Sequence, residues 1–132
     1  MSSEAITRND LKNVLDEVLP SKPAEADYVV EQGTGGIWAY RKWASGIAEC
    51  WGYYSKTIAS KTVDNNNYIS FPFTFTATPK IVLGLSAGGG DIYRGHIENG
   101  ATNATQVRLT IINQHTSAVV LGMNIHALGR WK

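Results

Sequence analysis

The stretch Ile37 to Gly52, IWAYRKWASGIAECWG, leaves this chain little freedom of local fold. Aromatic and β-favouring residues run on both sides of Ala44-Ser45-Gly46, and Gly46 supplies the positive φ that a tight turn needs, so a β-hairpin is predicted. Three of the four tryptophans, Trp38, Trp43 and Trp51, lie in it. A three-residue turn sets Trp43 opposite Ile47, Arg41 opposite Glu49 and Ala39 opposite Trp51. A two-residue turn shifts the partners and sets Lys42 opposite Glu49. Either register puts a cation across from the hairpin's one carboxylate. The three-residue turn is favoured because it gathers Ile37, Ala39, Trp43, Ile47 and Trp51 on one face. Trp51 is expected to be packed there and the hairpin to be the centre of stability.

Beyond the hairpin, Tyr53 to Ala59 continues the second strand or opens a third, and Asp64 to Asn67 reads as a loop. Tyr68 to Thr76 alternates cleanly, with Ile69, Phe71, Phe73 and Phe75 on one face; Pro72 cannot donate to a ladder, so this strand is predicted at an edge or with a bulge. Further strands are predicted at Lys80–Ser86, Ile92–Ile97, Thr105–Asn113 and Ala118–Leu128. Their inward residues are Ile81, Leu83 and Leu85; then Val107, Leu109 and Ile111; then Val119, Leu121, Met123, Ile125 and Ala127. Before the hairpin, Tyr28 to Glu31 begins an extended segment and Gln32 to Gly36 turns. Many short strands separated by Gly, Asn and Ser turns argue a mainly β protein, an antiparallel β-sandwich over residues 28–132.

Residues 1–27 form a separate N-terminal element. Thr7 caps a predicted helix over 7–19, Leu11, Val14, Leu15 and Val18 recur on one stripe, Pro20 stops it, and a polar linker follows. At about 12 residues such a helix is marginal alone in water. It packs either on its own domain or on the same helix of other subunits, where Leu11, Val14 and Val18 would form a short seam.

A chain of 132 residues can bury roughly two thirds of its unfolded surface, enough for one core. Charged residues make up 17% of it, against a usual value of about 25%, which suits an oligomer with buried faces. The net charge of +1 gives no footprint for nucleic acid or an anionic membrane. Cys50, the lone cysteine, excludes an intramolecular disulfide and reads as a small buried hydrophobe. The N-terminus shows no signal-peptide pattern, and no apolar run approaches the ~20 residues of a membrane span, so synthesis in the cytoplasm is expected.

The sequence carries no constellation for catalysis. His96, His115 and His126 lack metal-ligand spacing, and the glycines at 88–90 lack the lysine and helix of a phosphate loop. No enzymatic role, metal or cofactor is expected. What remains is recognition by polar groups. Asp91, Tyr93, Arg94 and His96 follow the glycine-rich loop, and His115 lies at another strand end. A carboxylate, cations and an aromatic face are the ingredients of a sugar site, although ordinary strand-end polar residues read the same way.

The residues Tyr40-Arg41-Lys42-Trp43 and Ser45-Gly46-Ile47-Ala48-Glu49-Cys50-Trp51-Gly52 are the specific part of a resemblance. With Phe71-Pro72-Phe73-Thr74-Phe75, Pro79-Lys80 and the closing Ile125 to Lys132, they resemble a domain of minor structural proteins of tailed phages and prophages of Gram-positive bacteria, over residues 28–132. The second half is also similar in pattern to H-type lectins. The resemblance implies a homotrimeric β-sandwich in the virion tail that associates with other tail or baseplate proteins and binds a host cell-surface carbohydrate. A purely structural trimerisation or decoration module without a ligand, and a free soluble lectin, are the alternatives. The second face of the last strand, with Val120, Gly122, Asn124, His126 and Leu128, fits a subunit interface that mixes packing with hydrogen bonds.

Overall fold

The computed structural model describes residues 26–88 and 92–132. The predicted helix over 7–19, with Leu11, Val14 and Val18, and the candidate residue Asp91 lie outside the described residues. Eight strands make up the rest: β1 Val29–Gly35, β2 Trp38–Trp43, β3 Ile47–Ile58, β4 Thr62–Ser70, β5 Lys80–Ser86, β6 Tyr93–Ile97, β7 Gln106–Asn113 and β8 Val119–Arg130. They form a five-stranded sheet in the order β1-β2-β3-β8-β5 and a three-stranded sheet in the order β4-β7-β6. Every pairing is antiparallel.

The hairpin forms with the three-residue turn: Arg41 pairs with Glu49 and Ala39 with Trp51. Gly46 sits at φ +99°, and a Cβ there would come within 2.7 Å of the Lys132 carbonyl. Glycine is thus required both by conformation and by space. The turn is held from two sides. The Asp27 carboxylate accepts from the Ser45 N–H at 3.0 Å and from the Ser45 hydroxyl, which keeps its carboxyl below the usual range. The Trp131 N–H donates to the Gly46 carbonyl at 2.9 Å, so the end of the chain closes on the same turn.

The inward face of the hairpin is the opposite of the one expected. Trp38, Ala48 and Cys50 are buried, whereas Ile37 and Ile47 are exposed and Trp51 is half-buried. The cause is β8. Its apolar set Leu121, Met123, Ile125 and Ala127 must face the core, and the β3–β8 register pairs Cys50 with Ala127, Gly52 with Ile125 and Tyr54 with Met123. Side chains alternate along a strand, so this register turns the even-numbered residues of β3 inward and Trp51 outward. The strand pattern of β5, β7 and β8 is as predicted: Val107, Leu109, Ile111, Leu121, Met123, Ile125 and Ala127 are buried, and Ile81, Leu83, Leu85 and Val119 pack against them.

Three boundaries differ from expectation. β1 runs on to Gly35, and the turn lies at Gly36-Ile37, where Gly36 has φ +60°. Asp64 to Asn67 is not a loop but a bulge within β4. Asn67 is buried there and bonds the Tyr54 hydroxyl at 2.8 Å, the Asp64 carbonyl at 3.0 Å and the Leu109 carbonyl at 3.1 Å. β4 stops at Ser70, and the chain crosses from one sheet to the other through Phe71 to Pro79. Pro72 has no N–H for a ladder. Phe71 and Phe75 instead dock by backbone bonds to Thr105 and Ala104, and their rings join Trp38 and Phe73 in one aromatic cluster.

Replacing Leu109, fully buried between the sheets, by Ala is expected to cost about 2–5 kcal/mol in denaturant melts. The acid limb of stability should involve Asp64. Its bond from Lys56 at 2.8 Å holds the carboxyl below the ordinary value, so the contribution is present above about pH 4 and is lost as pH falls through the lower folded value. Asp64→Asn is therefore expected to lower stability near neutral pH and to change little at about pH 2, which urea melts at both values will read.

Candidate functional site

The alternation that fills the core leaves two outer faces, and their chemistry differs. On the five-stranded sheet, cross-strand pairing builds rows of outward residues. One row runs Thr34, Ala39, Trp51, His126, Val82. The next towards the chain ends of β3 and β8 runs Gln32, Arg41, Glu49, Leu128, Lys80. Ile37, Tyr53, Asn124 and Gly84 lie on the other side of the first row. Ile37, Ile47, Tyr53, Val82, Val120 and Leu128 are all exposed on this one face, Val82 at 68% and Val120 at 63%. A groove of about 720 Å³ crosses it, walled by Ile37, Trp51, Tyr53 and Val82, with Thr34, Asn124 and His126 among its polar groups. The Tyr53 ring rests on Gly122: a Cβ at that position would lie 1.8 Å from the Tyr53 hydroxyl.

Polar contacts on this face differ from the predicted pairings. Glu49 is Arg41's neighbour in register, yet its partner is His126, whose Nε2 lies 2.8 Å from Oε2. Arg41 lays its guanidinium over the Trp51 ring at 5.0 Å. Lys42 points to the other side of the sheet and pairs with Glu31 at 2.9 Å. The sequence places cations opposite Glu49 across the hairpin, but only the β3–β8 register brings His126 within reach. Beneath Glu49 the sheet is closed. Cys50 is buried, and burial, with the Glu49 charge as the second cause, pushes its thiol up to about 12. It is therefore an inert core group.

The outer face of the three-stranded sheet is mixed: Val63, 63% exposed, and Ile112 share a rung with Arg94, and the other rungs are polar. Arg94 and His96 point outward from β6. His96 Nε2 donates to Glu98 Oε1 at 2.9 Å, and the Thr110 hydroxyl donates to the same oxygen at 2.5 Å. The Thr110 bond first, and the His96 bond second, hold the Glu98 carboxyl below its usual range. On the neighbouring rung, the Arg108 guanidinium lies 5.0 Å over the exposed Tyr68 ring, and its Nε donates to the Asn65 carbonyl at 2.8 Å.

The predicted cluster is therefore divided. Arg94 and His96 share the outer face, while Tyr93 and His115 lie together on the other side, their ring centroids 6.4 Å apart and Tyr93 packed on the core. His115 Nδ1 accepts from the Ser117 N–H at 3.0 Å, which fixes it in a turn. Neighbouring Asn113, fully buried, bonds three carbonyls. The strand parity of β6 alone could have separated Tyr93 from Arg94 and His96. Tyr68, Arg108 and Thr110 were missed because a bulge in β4 and a long return between β6 and β7 join them. Among the described residues no group of three or more His, Cys, Asp or Glu side chains could hold a metal ion. No helix among them is long and apolar enough to cross a membrane.

No family model and no curated protein matches the sequence. Solved structures do. The chain is similar to the C-terminal part of the R1 pyocin fibre of P. aeruginosa, with a TM-score of 0.61 and 13% identity over 95% of this chain and 32% of that one. An N-truncated R1-type pyocin tail fibre matches with a TM-score of 0.61 and 12% identity over 95% of this chain and 98% of that one. The R2 pyocin fibre of P. aeruginosa matches with a TM-score of 0.50 and 14% identity, and the chain spans 30% of its length. The chain thus spans about a third of the longer fibre structures and nearly all of the truncated one. The fold is the one found in the C-terminal β domains of these phage-like tail fibres.

A double-mutant cycle should find the coupling of Glu49 where the geometry puts it. Glu49→Gln with His126→Gln is expected to show a coupling of about 0.5–1 kcal/mol in denaturant melts, and Glu49→Gln with Arg41→Ala about zero.

Proposed function

We propose that this chain is a tail-associated structural protein of a phage, prophage or phage-like particle, that it assembles as a homotrimer, and that it carries a domain for binding carbohydrate on the host surface. The observation that carries the assembly is the outer face of the five-stranded sheet. Six large hydrophobic side chains stand exposed along it, three of them, Ile37, Tyr53 and Val82, lining a groove, with a half-buried Glu49–His126 pair on the same face. Exposed apolar surface of this kind marks an interaction site, and its mixture of packing and hydrogen-bonding groups suits an interface between subunits.

The trimeric count comes from the resemblance to minor structural proteins of Gram-positive phages, and the carbohydrate target from the separate likeness of the second half to H-type lectins. The likeness to pyocin tail fibres supports the tail setting. Residues 1–27, with the apolar stripe Leu11, Val14 and Val18, would attach the β domain to other tail or baseplate proteins or add to the seam. In this reading the protein is no enzyme; it recognises and assembles. A second reading, a trimerisation module without a ligand, is favoured by the division of the predicted site, since Tyr93 and His115 face away from Arg94 and His96.

Light scattering at micromolar concentration is expected to give about three times the 14.4 kDa chain mass. Val82→Asp with Leu128→Asp should disperse the assembly, and deletion of residues 1–20 should weaken it without abolishing it. A monodisperse wild-type monomer overturns the assembly. Unchanged host adsorption in Asp91→Ala and His115→Ala variants, together with silence on a glycan array, favours the module without a ligand.

A further inference from the structure

We propose that the outer face of the three-stranded sheet is a binding surface for an anionic saccharide, a sugar chain bearing a carboxylate or a phosphate. This rests on the reading of the chain as a receptor-binding domain. The face is built by strand pairing rather than by a loop. Register sets Tyr68 beside Arg108, His96 beside Thr110, and Arg94 one rung further. The Glu98 N–H donates to the Arg108 carbonyl at 2.9 Å, which extends the first rung to Tyr68, Arg108, Glu98. An aromatic ring, a guanidinium and a carboxylate thus lie in line across neighbouring strands.

Each group is held in a form suited to a sugar. Tyr68 is 51% exposed; Arg108 covers one face of its ring, and the rest of the ring is offered to the apolar C–H side of a pyranose. Arg108 is fixed by its cation–π contact and by the Nε bond to Asn65. Among the described hydrogen bonds its two terminal nitrogens have no protein acceptor, so the planar fork is left for ligand oxygens. Glu98 has one oxygen engaged by Thr110 and His96, and the other has no protein donor among the described residues. That oxygen can accept from a sugar hydroxyl. Thr110 is buried under this arrangement although it points outward, which shows how closely its neighbours cover it.

The charge balance selects the ligand class. Arg94 and Arg108 are permanently charged, whereas Glu98 is the single carboxylate among the described residues of the face. The nearby Asp64 points inward and is neutralised by Lys56. An excess of guanidinium over carboxylate disfavours a cationic ligand, adds little for a neutral one and favours an anionic substituent. On strand geometry the Cα atoms of Arg94 and Arg108 are about 14 Å apart, which fits an extended saccharide rather than a single ring. The face also lies on the opposite side of the domain from the apolar groove, so assembly through the five-stranded sheet leaves it uncovered.

The test is an NMR titration of the full chain with three probes. One is a tetrasaccharide of alternating glucuronic acid and N-acetylglucosamine, one an oligomannose carrying a terminal 6-phosphate, and one neutral chitotetraose. Binding of either acidic probe with shifts confined to β4, β6 and β7 is expected, and the stronger of the two identifies the anionic group. Chitotetraose should bind about tenfold more weakly, and the Arg94→Gln/Arg108→Gln variant should lose about tenfold for the acidic probe. Arg108→Lys, which keeps the charge and loses the fork, should fall between. Raising salt from about 50 to about 500 mM should weaken the acidic probe several-fold. Equal binding of neutral and acidic probes, unchanged affinity in the double variant, or shifts on the five-stranded sheet would each overturn the proposal. Light scattering and adsorption to the host strain separate it from the broader reading. A wild type that assembles and adsorbs but binds neither acidic probe overturns this surface alone. One that binds the acidic probe as expected but never adsorbs supports the surface and overturns the receptor role.

Discussion

The pairing of β3 with β8 is the constraint on which the rest of the molecule depends. Twelve residues of each strand run in unbroken register from Ile47 opposite Arg130 to Ile58 opposite Val119. β8 has an apolar set that fits only the core. Once its parity is fixed, so is that of β3, and through β3 that of β2 and β1. β5 is set by the same strand from its other side, with Leu83 opposite Ile125 and Leu85 opposite Met123. A slip of one residue would turn Trp51 inward and Cys50 out, and would put Glu49 and His126 on opposite faces. One register therefore decides the core, the exposed apolar face and the Glu49–His126 hydrogen bond on that face.

No strand pairing joins the two sheets; besides the apolar core they share, buried amides bridge them. Asn113 bonds the carbonyls at the end of β3, and Asn67 bonds Tyr54 of β3 and Leu109 of β7. A buried amide costs free energy unless each of its polar atoms has a partner. No buried side-chain nitrogen or oxygen among the described residues lacks one. These bonds hold the three-stranded sheet at a fixed orientation over the core, and so hold its outer face opposite the apolar one. The crossing Phe71 to Pro79 adds an aromatic layer at one end of the core.

This division gives the protein its character. One face carries exposed aliphatics, a tyrosine laid on a glycine and the Glu49–His126 hydrogen bond. The other has side chains fixed by their neighbours, with donors and acceptors that have no protein partner among the described residues. Under the proposed function the two properties would serve together, multivalent display depending on assembly and capture on an uncovered surface.

The strands with a consistent period of two were legible in the sequence. Ile81, Leu83 and Leu85, Val107, Leu109 and Ile111, and the alternating set of β8 each turn one apolar side, and an isolated strand with that pattern can bury only that side. The hairpin turn was legible for the same local reason, since Gly46 is needed at positive φ. The inward face of the hairpin was not, because both its faces are aromatic and only the partner strand breaks the tie. The partner of Glu49 was not, because His126 is 77 residues away in the chain and adjacent only across β3 and β8. The candidate ligand residues were half legible: Arg94 and His96 were visible as polar residues of one strand. Glu98 is His96's near neighbour in the chain, but Tyr68, Arg108 and Thr110 joined them only when the β4–β7–β6 sheet formed. Sequence determines what each strand can bury, because alternation is a property of a single chain segment. Tertiary structure decides which groups meet, because register between distant strands is fixed by the packing of the whole core.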